Sequence, residues 1–525
     1  HECGGSARYD IADQCGVPDL SGAKRKPWRL LCLLAAALVL LGTALSLLYA
    51  SKPLTADAPS PALLAAAKGL DSIAIEAVFS PEHSSMEVWQ QLTLQNRAES
   101  SRDTVVLRTW PNAFSSLETS PCASEEYYER CYPDGFSIGA LTMSSAQVSR
   151  NGGAEASVAY RYQDQAKTVL TLPLAKEWLP GESLVLSLRY TLTIPHAAYR
   201  FGEQDGIWAL GSCFAIPSPW QDGAYRSDEY LPVGDPFVSD CANYIVSVTV
   251  PAGMICAGSG YPTVENAKGQ QIYRFQAPAV RDFALVVSDR FHLLQSREQG
   301  VLVSAYAASA AQGREMLRYA KQALRCFGER YGAYPYPSLT LAQIDFPMGG
   351  MEYPALVMIA KDLLNAGGAS LEYVVAHEVA HQWWYALVGS DSVNQAWQDE
   401  ALCEFSLLEY VQTTYGSASR EELEQRRVES ALRVTVPHGV TPGAPLERFE
   451  SMSEYSLVVY NRGAALFCAL DRATQGELDA FLKAYAQRYA FGFATRQDFE
   501  ALLGEQTGED YTPLMTDYLD TYILH

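Results

Sequence analysis

Between about Asp71 and Leu294 the apolar residues fall on alternate positions. Leu184, Leu186, Leu188, Tyr190, Leu192 and Ile194 alternate with mostly polar partners, and Val246, Val248 and Val250 do the same before Pro251. Short period-two runs bounded by Gly, Pro and Asp turns predict an antiparallel, all-β domain over residues 71–294. From about Gln295 the spacing changes. Ala308–Tyr331 reads as a helix stopped at Gly332, a favourable C-cap, and Tyr334-Pro-Tyr-Pro337 prevents its continuation. Ser338–Ile344 reads as a strand leading to the pair Gly349-Gly350. Leu371 to Val388 is an apolar run without Gly or Pro, which predicts one buried helix. A second helix begins at about Trp397 and runs to about Tyr415, after the short loop Gly389-Ser-Asp-Ser392. Further helices are expected from about Arg420, one of them carrying Tyr460. The whole reads as a multidomain α+β chain, with a mixed domain over residues 295–525.

The N-terminal stretch has a different character. Residues 1–29 are polar and aperiodic and read as a tail. Leu30–Ala50 is 21 residues long, without a charge and rich in Leu and Ala. A helix of that length spans about 30 Å, the thickness of a hydrocarbon core. Lys24-Arg-Lys26 and Arg29 precede it and only Lys52 follows closely, so the charge rule places the N-terminus in the cytoplasm and the remainder outside the cell. The expectation is a single-pass membrane protein whose later domains are extracellular. The competing assignment is a cleaved signal peptide, against which the leading tail and the length of the run both count. Residues 51–70, rich in Ala, Pro and Ser, read as a linker.

Charge and cysteine content narrow the picture. With 60 acidic and 39 basic residues in 525, the net charge is −21, which argues against a nucleic-acid partner. The 11 cysteines include no CxxC pair. Cys122 and Cys131 lie close together in a polar, turn-rich stretch, where an extracellular location would favour a disulfide and an intracellular one two free thiols.

The chemistry centres on His377-Glu378-Val379-Ala380-His381. Residues four apart share a helix face, so two imidazoles can bind one metal ion, while Glu378 can address a water beside it. The alternative is a pair of core histidines. Zinc in a catalytic site takes three protein ligands and keeps one open position. Glu400 follows His381 after 18 residues, in Trp397-Gln-Asp-Glu-Ala-Leu-Cys-Glu404, and an antiparallel return of the second helix brings it to the histidines. His377, His381 and Glu400 are thus the candidate ligands of one zinc per chain, and Glu378 the candidate general base. Glu404, one turn beyond Glu400, either orients a zinc histidine or is an ordinary solvated or paired carboxylate.

Three motifs in order resemble the aminopeptidase N family of gluzincin zinc peptidases. They are Gly349-Gly350-Met351-Glu352-Tyr353, where the family usually has Gly-Ala-Met-Glu-Asn; the HEVAH motif with Glu400; and Tyr460-Asn-Arg-Gly-Ala464. The likeness covers roughly residues 71–525 and is to a short form without the large C-terminal helical domain of many members. It implies a saddle-like β domain, a thermolysin-like catalytic domain, and removal of N-terminal residues from peptides by metal-activated water attack on the first peptide bond. It also implies that Glu352, presented after Gly349, Gly350 and Met351, binds the free ammonium of the substrate. Tyr460 would stabilise the oxyanion, with Tyr455 as rival. The sequence departs from the family at Tyr353 and at Gln398, Asp399 and Ala401. Tyr353 and the missing C-terminal domain keep a zinc endopeptidase of the same fold open; a non-catalytic peptide-binding ectodomain is the alternative of another class, against which the intact His, His, Glu and Glu set counts.

Overall fold

Alternation along the first half of the chain is matched by alternation of burial: along Ser85–Gln95 every second side chain is buried and the others face solvent. The computed structural model describes residues 54–521, except 123, 125, 151 and 437. The expected tail at 1–29 and the expected membrane span at 30–50 lie outside the described residues, among which no helix is long and apolar enough to cross a membrane.

The β-rich half is built on β1 (Asp71–Ser80), β2 (Ser85–Gln95), β3 (Ala140–Arg150), β4 (Ala156–Ser157), β5 (Ser183–Thr193), β6 (Ala242–Pro251), β7 (Thr263–Ala267) and β8 (Gln270–Val280). They form one sheet in the order β7-β8-β6-β1-β2-β5-β3-β4. The expectation of a wholly antiparallel domain needs correction. The neighbours β1 and β6 are parallel, Ile73 lying opposite Tyr244, because the chain adds β2 to β5 on one side of β1, then leaves the sheet and builds other structure after β5 before it returns on the other side. Two four-stranded sheets and a two-stranded one complete this half. The helix Pro61–Ala67, capped by Ser60, lies within the expected linker and buries Leu63. Cys122 and Cys131 are free, buried thiols rather than a disulfide. Burial, and then Cys131 beside it, pushes the Cys122 thiol well above its ordinary range.

The mixed half begins with β9 (His292–Glu298) and β10 (Val301–Ala307), slightly before Gln295. Then come α1 (Ala310–Tyr331), β11 (Ser338–Ile344), β12 (Gly350–Met351) and β13 (Leu356–Ala360). The sheet order is β9-β10-β11-β13-β12, its three middle strands parallel. Ser309 caps the start of α1 and Gly332, at φ 106°, ends it, where a side chain would be strained. Against this sheet packs α2 (Gly368–Ala380), and against α2 packs α3 (Glu400–Tyr415); the two carry most of the site.

Candidate active site and metal centre

Helix α2 ends at Ala380, eight residues short of the single helix expected to Val388. His381 is its C-cap, still with helical backbone angles, and its N–H bonds to the His377 carbonyl at 3.3 Å. The i,i+4 relation therefore survives. Beyond it the apolar run forms buried turns, not helix. The Trp383 indole donates to the Gly332 carbonyl and the Trp384 indole to Ser406 Oγ, both at 3.0 Å. Gln382 accepts from Ala355 N and donates to the carbonyls of Glu352 and Tyr353. An apolar run records burial, and buried turns are as apolar as buried helix when such side chains satisfy the backbone.

Glu400 opens α3, with Asp399 accepting from its N–H at 2.7 Å. Nε2 of His377, Nε2 of His381 and Oε2 of Glu400 form a nearly equilateral triangle, 3.1 Å between the nitrogens and 3.2 Å from each to the oxygen. All three residues are buried. Atoms bound at 2.0–2.1 Å to one tetrahedral zinc ion stand about 3.3–3.4 Å apart, so the donor set fits zinc with little adjustment. Protons alone suit it poorly, because two ring nitrogens face each other as well as the carboxylate. Nδ1 of His381 lies 3.1 Å from the Trp384 carbonyl, which fixes its proton there and leaves Nε2 as a lone-pair donor. Nδ1 of His377 lies 3.1 Å from Glu404 Oε1, an ion-pair contact too askew for an aligned hydrogen bond. Glu404 thus stands where a positioning carboxylate would, and Arg427 contacts the same oxygen at 3.1 Å.

The electrostatics follow from this crowding. Burial opposes a charge on Glu400, but His381 and His377 outweigh it and hold the carboxyl below the usual carboxylate range. Burial likewise opposes a charge on His377, yet Glu400 and Glu404 raise it to about 9. In the bare protein the cluster draws a proton where it can equally take a cation. Glu378 is pushed up to about 7, first by burial, with the two histidines resisting and Glu400 and Asp235 reinforcing. Burial and then Asp235 drive Glu352 well above the usual range, against His381.

The approach from β12 is close. A Cβ at Gly350 would lie 2.4 Å from Glu378 Oε1, so glycine is required for strand and carboxylate to meet. Gly349 adopts φ 104°, a conformation that favours glycine. Met351 is buried in the strand, and Glu352 follows with a carboxylate oxygen within 4.8 Å of ligand atoms of both Glu378 and His381. Tyr353 is directed away from the metal cluster: its phenol is 3.3 Å from Ser212 Oγ and fills the space a Cβ on Gly211 would need.

Tyr460 lies on a π-helical segment, Ser456–Arg462, instead of an ordinary α-helix. Such wider turns recur at functional sites. Its ring stacks on His377 at 5.4 Å, nearly parallel. Tyr455 packs edge-on behind it at 5.6 Å, in a separate apolar cluster with Phe449. Tyr460 lines the cleft of about 190 Å³ over the cluster, as do Arg200, Asp235, Glu352, Glu378 and Arg427. Arg200 and Asp235, an ion pair from the β-rich half, have no motif to reveal them. Gln382 and Arg427 were likewise missed; for Gln382 the one signal was a polar residue inside an apolar run.

Fold and site together offer a buried three-ligand set for one metal ion beside a carboxylate-lined cleft. Residues 315–518 match the model of the peptidase family M1 domain. Over these residues the chain is similar to that family, and the surrounding motifs resemble the aminopeptidase N pattern. It is 30% identical over 274 residues to Aminopeptidase N of Lactobacillus helveticus, covering 47% of this chain and 32% of that one. It is 29% identical over 334 residues to Aminopeptidase B of Rattus norvegicus, covering 57% and 48% respectively. The chain thus spans a third to a half of the length of these curated relatives. In structure it resembles the M1 zinc metallopeptidase of Deinococcus radiodurans, with TM-score 0.60 and 19% identity over 87% of this chain and 95% of that one.

Proposed function

We propose that the protein is a zinc-dependent aminopeptidase that hydrolyses the first bond of peptides with a free N-terminus. The observation that carries this reading is the placing of Glu352 beside the triangle of His377, His381 and Glu400. Bound there, zinc would act as a Lewis acid and lower the pKa of water toward neutrality. The chain's own groups would do the rest. Glu378, buried against the apolar helix, takes the proton of the attacking water and returns it to the leaving amine. The Tyr460 hydroxyl, on the His377 side, donates to the oxyanion that develops on the attacked carbonyl. Glu352 pairs with the substrate ammonium and sets the cleavage register, while Gln382 holds the carbonyls of Glu352 and Tyr353 in place. The strand edge at Gly349 and Gly350 lets the peptide backbone approach closely.

The test is a pair of peptides that differ only in N-terminal acetylation, together with a zinc determination. One zinc per chain, loss of activity on chelation and strong preference for the free amine are expected. Equal rates on both peptides would overturn the aminopeptidase reading in favour of an endopeptidase, and a metal-free active protein would overturn the zinc assignment.

A further inference from the structure

The cleft has a direction. Glu352 approaches the metal cluster from the His381 and Glu378 side, with oxygen and nitrogen atoms within 4.8 Å. Arg427 approaches from the other side: its guanidinium and Nδ1 of His377 each lie 3.1 Å from the same Glu404 oxygen. The guanidinium is therefore no more than about 6 Å from that ring nitrogen. If Glu352 takes the substrate's ammonium, as proposed above, Arg427 lies along the leaving portion of the peptide.

The charges on that side are unequal. Among the described residues that line the cleft, Asp235, Glu352, Glu378, Glu400 and Glu404 are acidic, and the arginines are Arg200 and Arg427. Arg200 is 4% exposed and committed to Asp235 and the Met351 sulfur. Arg427 keeps 32% of its side chain exposed and gives one nitrogen to Glu404. A guanidinium carries five N–H donors in a planar fork that matches a carboxylate. A cation needed only to balance Glu404 would not have to open into the cleft.

We propose that Arg427 is a specificity-determining residue that binds the C-terminal carboxylate of short peptides, one or two residues beyond the cleaved bond. Each extended residue spans about 3.3–3.6 Å, so the carboxylate of a dipeptide or tripeptide falls within reach of the guanidinium, and that of a long peptide does not. The same fork counters the repulsion a peptide carboxylate would meet from Glu404. This inference rests on the aminopeptidase reading for its polarity.

The experiment compares a tripeptide bearing a free C-terminal carboxylate with the same tripeptide as its C-terminal amide, both with free amines, in the wild type, Arg427→Gln and Arg427→Lys. The measured quantity is the ratio of kcat/KM for acid over amide, from which a loss of zinc or a general disturbance of His377 cancels. The wild type should favour the acid by about tenfold or more, the scale of a charge-assisted pair. Arg427→Gln should bring the ratio near one, and Arg427→Lys should restore part of it. A ratio unchanged by Arg427→Gln, or a wild type indifferent to amidation, would overturn the proposal while leaving the aminopeptidase reading intact. Equal cleavage of N-acetylated peptides would overturn that reading, and with it the assigned direction of the cleft. A wild type that cleaves neither tripeptide overturns both.

Discussion

At Gly350 a single hydrogen decides whether Glu378, the proposed general base, can sit where it does. An added methyl would meet Glu378 Oε1 at 2.4 Å and its Cγ at 2.6 Å. Gly350→Ala should therefore displace the carboxylate without touching a metal ligand. Displacements of about 1 Å at a reacting group cost about 10²-fold in rate, so kcat should fall on that scale while zinc content stays at the wild-type level. A zinc-replete Gly350→Ala enzyme with wild-type kcat would remove Glu378 from the chemistry. His377, His381 and Glu400 were legible because helix geometry converts their spacing directly into proximity. Arg200 and Asp235 were not: they reach the cleft from a distant part of the chain, and no local pattern marks an arginine that will be buried beside a carboxylate. Tyr460 was legible through its motif, though not the π-helical turn that places its ring parallel to His377.

Among the elements, the segment after β8 and the segment after β12 meet through a buried polar chain. Asp282 accepts from Ser212 Oγ at 2.9 Å and from Phe283 N at 2.7 Å, and Ser212 in turn reaches the Tyr353 phenol. Burial pushes the Asp282 carboxyl up to about 6 from its ordinary 3.8, the two hydrogen bonds opposing. The folded protein then keeps a proton that the unfolded chain has released, so stability falls as pH rises through about 4 to 6. At neutral pH the cost is about 3 kcal/mol. Asp282→Asn cannot ionise; its amide oxygen can keep the Phe283 N–H, and its NH2 can donate to Ser212 Oγ in place of accepting from it. Urea denaturation at pH 5 and pH 7 should show the variant gaining on the wild type as pH rises; an identical pH slope for the two proteins would mean that Asp282 is ionised in the fold at little cost. The period-two strands and α1 were readable because their burial is one-sided. The end of α2 was not, because the turns after His381 are as apolar as the helix before them.

Over the whole molecule, the two halves are fastened by Arg281. Its guanidinium donates to the carbonyls of Tyr385, Ser239 and Gly492, stacks over Phe493 at 4.7 Å and is 1% exposed. Gly389 passes so close that a Cβ there would lie 2.3 Å from it. Arg281→Met keeps much of the volume but removes the guanidinium donors to the Tyr385 and Ser239 carbonyls, while that of Gly492 keeps the Gly389 N–H. It should lower stability by about 3–5 kcal/mol, read from the denaturation midpoint, with one transition retained because the catalytic cleft is walled by both halves. Two separated transitions would show that the halves fold independently. The change from period-two to helical spacing near Gln295 made this division visible in the sequence, but the contacts across it depend on side chains whose partners lie elsewhere in the chain.

The parallel pairing of β1 with β6 also bears on how the protein is made. As the chain is synthesised, β1, β2, β3 and β5 are complete long before β6, and until then β1 presents an unpaired strand edge. Closing the sheet at its centre requires an encounter between segments separated by most of the β-rich half, so folding should be slow and the growing chain exposed to mispairing along that edge. A cleft that needs Asp235, Glu352 and Tyr460 together cannot form until nearly the whole chain has emerged. The proposed peptidase would thereby stay inert during its own synthesis.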